Sequence, residues 1–191
     1  IAASTLSAIA TVNTSGTITA TSASTVTGTA AEIIASFGNS TITEANDVAI
    51  TVNSGTASLA QARSIDGYTT GVVTATIEDT RVSALVGSTP LLDANGNNAF
   101  TITIGTADAE ITAANLNTLN GLTSVAIEAG NVTQITGTVA ATNNAYAAGA
   151  NSQINGLGNE AVVIDGESSN TLSDASTLNT LDSYTTGTVN A

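Results

Sequence analysis

Acidic residues that stand close together are the groups in this sequence with the clearest chemical potential. The three tightest pairs are Glu78 with Asp79, Asp108 with Glu110, and Asp165 with Glu167. Converging carboxylates suit a hard cation such as Ca²⁺, which takes about six to eight oxygen ligands. Glu78, Asp79, Asp165 and Glu167 are the candidate metal ligands if the pairs bind an ion, and calcium is the ion that would suit them, although no cofactor is expected. The pairs fall at predicted strand ends and turns, a position more typical of solvated turn residues.

Two carboxylates can also hydrolyse a glycan when they flank the scissile bond. Such sites usually come with aromatic platforms, whereas this chain has only three Tyr and two Phe, with no Trp. The chain also has no Cys and no His, which removes thiol nucleophiles, Ser-His-Asp triads and ordinary zinc sites. We therefore predict that the protein is not an enzyme and holds no organic cofactor.

The charge balance excludes several partners. Arg63 and Arg81 are the only cationic side chains against 15 acidic ones, so the net charge is −13. Phosphate binding needs Lys and Arg, so nucleic acid is not an expected partner. No apolar stretch reaches the length of about 18 residues that a transmembrane helix needs, so membrane insertion is not expected. The sequence lacks an initiator Met and a signal-like leader, from which we expect a chain processed from a larger polypeptide.

One phrase recurs along the chain. It reads "ARSIDGYTTGVVTA" at 62–75, "LNTLNGLTSVAIEA" at 116–129 and "LNTLDSYTTGTVNA" at 178–191, with a fainter copy, "LSAIATVNTSGTITA", at 6–20. Asp66, Asn120 and Asp182 occupy one matching position, and Tyr68 and Tyr184 occupy another. A row of ligand-binding groups is one interpretation. The favoured interpretation is a helix-end turn that needs the same polar group and the same packing ring each time.

The recurring phrases divide into coils of about 27 residues, each with a short strand and then a short helix. Segments rich in Thr, Val and Ile predict strands at 17–20, 48–52, 72–76, 100–104, 125–128, 162–164 and 188–190. Segments rich in Ala and Leu predict helices at 30–37, 57–65, 81–86, 111–119, 139–147 and 172–181. The longest loops are expected at 87–98 and 149–160.

Capping residues support several of these helices. Thr29 with Glu32 matches the T-x-x-E capping box. Thr56 and Thr171 are the expected N-caps of their helices. Three glycines, at positions 38, 67 and 121, follow helix ends and are expected to be left-handed.

Strands that each return through a helix must pair in parallel. The predicted fold is therefore an α/β solenoid with one strand per coil in a single sheet, and residues 1–191 form one segment of it. An all-β right-handed solenoid is the alternative. Thr-x-Thr triplets such as Thr25–Thr27 suggest an ice-binding surface, but Val, Ile, Asn and Glu interrupt the predicted threonine ladder.

The phrases "ITGTVAATNNAYA", "INGLGNEAVVI" and "LNTLDSYTTGTVNA" together resemble the long repeat arrays of giant cyanobacterial cell-surface proteins, a group that includes one involved in non-flagellar swimming. The resemblance implies export, display on the cell surface and a structural role. Relatives of this kind often occur near calcium-binding nonapeptides. The G-G-x-G-x-D pattern of those repeats is missing from this sequence, so calcium binding of that type is not carried over.

The resulting expectation is a structural repeat segment of an extracellular or cell-surface filament or layer. Strand edges and apolar faces at the ends of the repeats need cover, so the expected partner is another copy, bound end to end or laterally. The alternative is an adhesin or fibre-stem module that binds a glycan or a surface. Exposed aromatic rings clustered on one face would favour that alternative.

Overall fold

The structure, a computed structural model, describes residues 1–91, 96–165 and 175–191. The chain forms two compact units. The first comprises Ile1–Asp79, Pro90–Thr101 and Leu122–Ser124. The second comprises Thr80–Thr89, Ile102–Gly121 and Val125–Ala191. No helix in the described ranges has the length and apolar character needed to cross a bilayer.

The first unit combines three helices with two parallel sheets among its described residues. In chain order its elements are α1 (Ala3–Val12), β1 (Ile18–Ala20), β2 (Thr25–Gly28), α2 (Ala30–Phe37), β3 (Ile42–Glu44), β4 (Ala49–Val52), α3 (Leu59–Asp66), β5 (Val73–Thr76) and β6 (Ala99–Thr101). The smaller sheet pairs β1 with β3, and the larger has the order β2-β4-β5-β6. All of these pairings are parallel.

The second unit repeats this organisation. Its described elements are α4 (Val82–Leu85), a 3₁₀ turn (Thr106–Asp108), β7 (Glu110–Thr112), α5 (Ala113–Asn120), β8 (Ile127–Glu128), β9 (Gln134–Gly137), α6 (Val139–Ala150), β10 (Ile154–Asn155), β11 (Ala161–Ile164), α7 (Ala175–Asp182) and β12 (Val189–Asn190). One sheet pairs β8 with β10, and the other has the order β7-β9-β11-β12. These pairings are also parallel.

The predicted solenoid with one strand per coil in a single sheet is wrong. The described residues form a mixed α/β fold with four small parallel sheets, and their seven α-helices also contradict the all-β alternative. The cause is a tight turn inside the predicted coils. The Ala23 N–H bonds the Ala20 carbonyl at 3.0 Å, and the Val132 N–H bonds the Ala129 carbonyl at 2.9 Å. Each turn separates two short strands that enter different sheets.

The core of each unit is built from β-branched residues in register. In the first unit, Val26 pairs with Ile50 and Ile50 pairs with Val73. All three side chains are buried. In the second unit, Ile135 lies between Ile111 and Val162, and all three are again buried. Stiff β-branched side chains pack well on a pleated surface. This packing explains how small, uniform residues can form a core on the larger sheet of each unit.

The capping box predicted for α2 is confirmed. The Thr29 side chain accepts a hydrogen bond from the Glu32 N–H at 3.2 Å, and the Glu32 carboxylate accepts one from the Thr29 N–H at 2.8 Å. The backbone hydrogen bond from Thr29, together with its hydroxyl, holds the pKa of Glu32 below its usual range. Two of the donors at the helix start are satisfied by residues only three positions apart.

The N-cap predicted at Thr56 is wrong, and the helix begins later. Ser58 caps α3, and the Gln61 side-chain oxygen accepts a hydrogen bond from the Ser58 N–H at 3.0 Å. Thr56 is followed three positions later by Leu59, which has no acceptor to complete a box. The predicted cap at Thr171 lies outside the described residues.

The glycines after the helices are not left-handed, contrary to expectation. Gly38, Gly67 and Gly121 have φ values of −76°, −69° and −77°. Each N–H still bonds a carbonyl one turn back, as the Gly38 N–H bonds the Ile34 carbonyl at 2.9 Å. The chain therefore leaves these helices through a right-handed turn, without the reversal that requires a positive φ.

Candidate functional site

The acidic pair Glu78 and Asp79 lies beside a surface cavity of about 260 Å³ that Ser58 and Leu59 also line. Glu78 is exposed and Asp79 is half-buried. Asp165 is exposed directly after β11 in the second unit, and Glu167 lies outside the described residues. Across the described ranges, no three acidic side chains form a cluster that could hold a metal ion.

The pair Asp108 and Glu110 is divided between two environments. The Asp108 carboxylate accepts a hydrogen bond from the Val82 N–H at 2.9 Å, at the start of α4. Glu110 is exposed on β7. Asp108 therefore satisfies a helix donor, as expected for a cap residue.

The recurring Tyr-Thr-Thr-Gly phrase forms a turn that ties one strand start to an earlier one. The Thr69 hydroxyl donates to the Val48 carbonyl at 2.6 Å and accepts from the Gly71 N–H at 2.9 Å. The next residue, Thr70, bonds the Asn46 carbonyl through its N–H at 2.7 Å. The phrase thus supplies hydrogen bonds between chain segments more than twenty residues apart.

The final copy of the phrase makes the same contacts in the second unit. The Thr185 hydroxyl donates to the Glu160 carbonyl at 2.7 Å and accepts from the Gly187 N–H at 2.9 Å. The Thr186 N–H bonds the Gly158 carbonyl at 2.9 Å. The repetition at these positions is therefore explained by structure, without a ligand.

Gly71 is required by this turn because the backbone approaches it closely. A Cβ at this position would stand 2.7 Å from the Val48 carbonyl oxygen and even closer to that of Asp47. We expect Gly71→Ala to lower the free energy of unfolding by about 2 kcal/mol, since an overpacked site must shift its backbone. Urea denaturation followed by circular dichroism measures the change.

Gly130→Ala is the matched control for that substitution. A Cβ at Gly130 would have no neighbour within 4 Å, and the backbone of Gly130 does not have a positive φ. The control should leave stability unchanged or raise it slightly. Equal stability for the two variants would contradict the requirement for Gly71.

The polar residue of the phrase ends a helix in the three copies that contain it, as the favoured interpretation expects. Asp66, Asn120 and Asp182 are the last residues of α3, α5 and α7. Their environments differ, however. Asp66 is buried and accepts a hydrogen bond from the buried Asn98 side chain, whose Oδ1 accepts from the Val73 N–H at 2.9 Å. Asp182 is exposed, so these residues do not share one chemical role.

The tyrosine of the phrase also packs as expected. Tyr68 stacks on Phe37 with ring centroids 5.2 Å apart, and Tyr184 stacks on Tyr146 at 5.7 Å. The fifth aromatic ring, Phe100, is fully buried. In these pairs Phe37, Tyr68 and Tyr184 are half-buried and Tyr146 is buried, so each ring packs partly against the chain itself.

The buried carboxylate of Glu160 is a feature that sequence reasoning missed. Its side chain is fully buried and accepts hydrogen bonds from the Tyr146 hydroxyl at 2.9 Å and the Gly158 N–H at 2.8 Å. Burial, reinforced by the negative charge of Glu160, raises the pKa of Tyr146 well above its usual range. The phenol therefore stays protonated and donates to the carboxylate. The available sequence signal was position: Glu160 is a polar residue at the end of a long predicted loop, directly before a buried strand. Asn98 has the same position in the other long loop.

The threonine ladder is interrupted in the structure, as predicted. Thr27, Thr51 and Thr74 are in register across three strands, but Ala99 occupies the next position. In the second unit the corresponding row continues from Thr136 to Val163. Neither row supplies a regular array of threonine hydroxyls.

An exposed apolar surface on α1 and β1 is the second feature whose residues the sequence analysis did not name. Ile1, Ile9 and Val12 are 48 %, 42 % and 77 % exposed. Ile1 and Ile9 line a surface cavity of about 460 Å³ together with Leu6, Ile18 and Ala20. We call this surface the α1 face. The sequence signal was the absence of any charged residue before Glu32.

The open edge of β1 belongs to the α1 face. In the described residues β1 pairs only with β3, so one edge of the strand has no partner strand. On the paired side, Ala20 lies opposite Glu44. Burial raises the pKa of Glu44, although a hydrogen bond from the Ser36 hydroxyl opposes this effect. The α1 face therefore combines apolar side chains with unpaired strand backbone.

Comparison of the chain with known protein families, characterised proteins and solved structures finds no match.

Proposed function

We propose that this chain is a structural module that self-associates, using the α1 face to bind another copy in an extracellular or cell-surface filament or layer. The observation that carries this proposal is the exposure of Ile1 and Ile9 beside β1, which has no partner strand at one edge in the described residues. Contiguous exposed apolar surface commonly marks a protein interaction site. An open strand edge adds backbone groups that pair readily with another chain.

The charge distribution leaves the α1 face as a surface on which a second copy can bind. Each copy has a net charge of −13, and copies therefore repel one another at most of their surface. The first 31 residues contain no charged side chain, so the α1 face adds no repulsion of its own. Burying one exposed Ile or Val side chain contributes up to about 1.5–3 kcal/mol. The resemblance to cyanobacterial surface repeats supports a structural role at the cell surface.

Sedimentation velocity at rising protein concentration tests the proposal. The chain should form assemblies whose average mass grows with concentration, and added salt should strengthen assembly by screening the negative charges. Ile9→Asp should weaken association at least about tenfold, because the variant buries a charge in an apolar contact.

Val72→Asp is the control for Ile9→Asp. Val72 is 39 % exposed, similar to Ile9 at 42 %, and the substitution adds the same charge outside the α1 face. The control should assemble like the unmodified chain. A chain that stays monomeric at every concentration and salt, or a control that loses assembly equally, would contradict the proposal.

A further inference from the structure

Helices α3, α5 and α6 each contain a side chain that donates a hydrogen bond to a backbone carbonyl later in the chain. The donor is the fifth residue after the N-cap in each: Arg63 after Ser58, Asn117 after Thr112, and Asn143 after Thr138. Arg63 bonds the Pro90 carbonyl at 3.1 Å, Asn117 bonds that of Ala141 at 2.9 Å, and Asn143 bonds that of Thr177 at 3.3 Å. In α2 the same position is Ile34, which has no side-chain donor.

The acceptors of the two asparagines also occupy one position. Ala141 lies two residues before Asn143, and Thr177 lies two residues before Asn179. An asparagine on one helix therefore bonds the equivalent carbonyl of the next helix, and the two helices pack side by side. This contact recurs within the second unit, from α5 to α6 and from α6 to α7.

Asn179 is the next asparagine in the series. It follows Leu178 in "LNTL", as Asn117 follows Leu116. Asn179 is exposed on α7, and its side chain makes no hydrogen bond within the described part of the chain. The strand that follows α7 in the chain, β12, pairs only with β11 among the described strands. No charged side chain follows Asp182. We call this surface, formed by Asn179 and β12, the α7 face.

We propose that the α7 face of one copy binds the α1 face of a second copy, so that assembly is head to tail. This inference rests on the proposed function, which requires that copies associate but does not specify which face of the second copy the α1 face contacts. By the same offset the acceptor on the second copy is the carbonyl of Thr5, two residues before Ser7, which matches Asn179 in the recurring phrase; Thr5 is exposed. Contact between two different faces leaves one of each free on every dimer, so growth continues beyond the dimer into a filament or a closed ring.

Two variants that each block one face test the polarity. Ile9→Asp blocks the α1 face, and Asn179→Asp removes the amide donor and adds a charge to the α7 face. Each variant alone should be monomeric, with association at least about tenfold weaker than that of the unmodified chain. An equal mixture should form dimers and nothing larger, because the intact α7 face of one variant meets the intact α1 face of the other. Sedimentation velocity measures all three samples.

Two further variants keep the experiment decisive. Val12→Asp repeats the block of the α1 face at a side chain that is 77 % exposed, should Ile9→Asp disturb the helix. Asn144→Asp places the same new charge on an exposed asparagine of α6 and should assemble normally. Circular dichroism confirms that each variant keeps its helical content.

Three results would overturn the polarity. Normal assembly of Asn179→Asp would remove the α7 face from the contact. Dimers of Asn179→Asp alone, with monomeric Ile9→Asp, would show that two α1 faces bind each other. A mixture that stays monomeric would show that the two faces do not pair. A monomeric unmodified chain, by contrast, would overturn the proposed function itself.

Discussion

Phe100→Ala is expected to lower the free energy of unfolding of the first unit by about 3–5 kcal/mol, the usual cost of truncating a fully buried phenylalanine. Phe100 is 0 % exposed and is the largest of the fully buried side chains in the described residues. It lies on β6 opposite Ala75 of β5. The small neighbour cannot fill the cavity that the missing ring would leave. Since domains are typically stable by about 5–15 kcal/mol, this loss is a large fraction of the total.

Urea denaturation monitored by circular dichroism checks this value, and Phe100→Leu is its control. Leucine keeps most of the buried apolar volume, so the control should lose less than about 1.5 kcal/mol. A loss below about 1 kcal/mol for Phe100→Ala would show that the core of this unit collapses around the missing ring.

Tyr146→Phe is expected to lower the free energy of unfolding of the second unit by about 3 kcal/mol. The substitution keeps the ring and removes only the hydroxyl that donates to Glu160. The fully buried carboxylate then keeps the Gly158 N–H as its remaining donor in the described residues. A buried acceptor that loses a partner costs about 1–3 kcal/mol, and a charged one costs more.

Tyr184→Phe is the matched control, because Tyr184 stacks on the same ring and its hydroxyl has no hydrogen bond in the described part of the chain. This control should change stability by less than about 0.5 kcal/mol. Adding Glu160→Gln to Tyr146→Phe should recover part of the loss, since it removes the buried charge. Equal losses for both tyrosine variants would mean that the Glu160 hydrogen bond adds nothing to stability.

The proposed assembly and these core contacts concern different parts of the molecule. Phe100, Tyr146 and Glu160 are buried, whereas Ile9, Val12 and Asn179 are exposed. Substitutions in the first group should change unfolding, and those in the second should change association. This separation allows a loss of assembly to be distinguished from a loss of folding.

Local features were predictable from the sequence because short-range hydrogen bonds and side-chain periodicity decide them. The capping box of Thr29 and Glu32 closes within three residues, and α2 has the predicted bounds of 30–37. Parallel pairing followed from strands that return through helices. The roles of Tyr68 and Tyr184 as packing rings were also predictable, because the phrase repeats them at one position.

Sheet membership was not predictable, because a single turn decides it. The hydrogen bond between Ala23 and Ala20 separates β1 from β2 and sends them into different sheets. Thr, Val and Ile favour a strand on either side of such a turn equally well, so composition does not show that one coil holds two strands. The solenoid prediction was wrong for this reason.

The sequence by itself determined that the chain is acidic, that it repeats a strand and helix pattern, and that chemistry requiring Cys or His is excluded. Only the tertiary structure decided which polar residues are buried and which apolar residues are exposed. Asp66 and Asp182 occupy the same place in the phrase, yet one is buried against Asn98 and the other is exposed. Burial depends on neighbours distant in sequence, and the same repeat therefore has a structural role inside the chain and an exposed surface at α1 and α7.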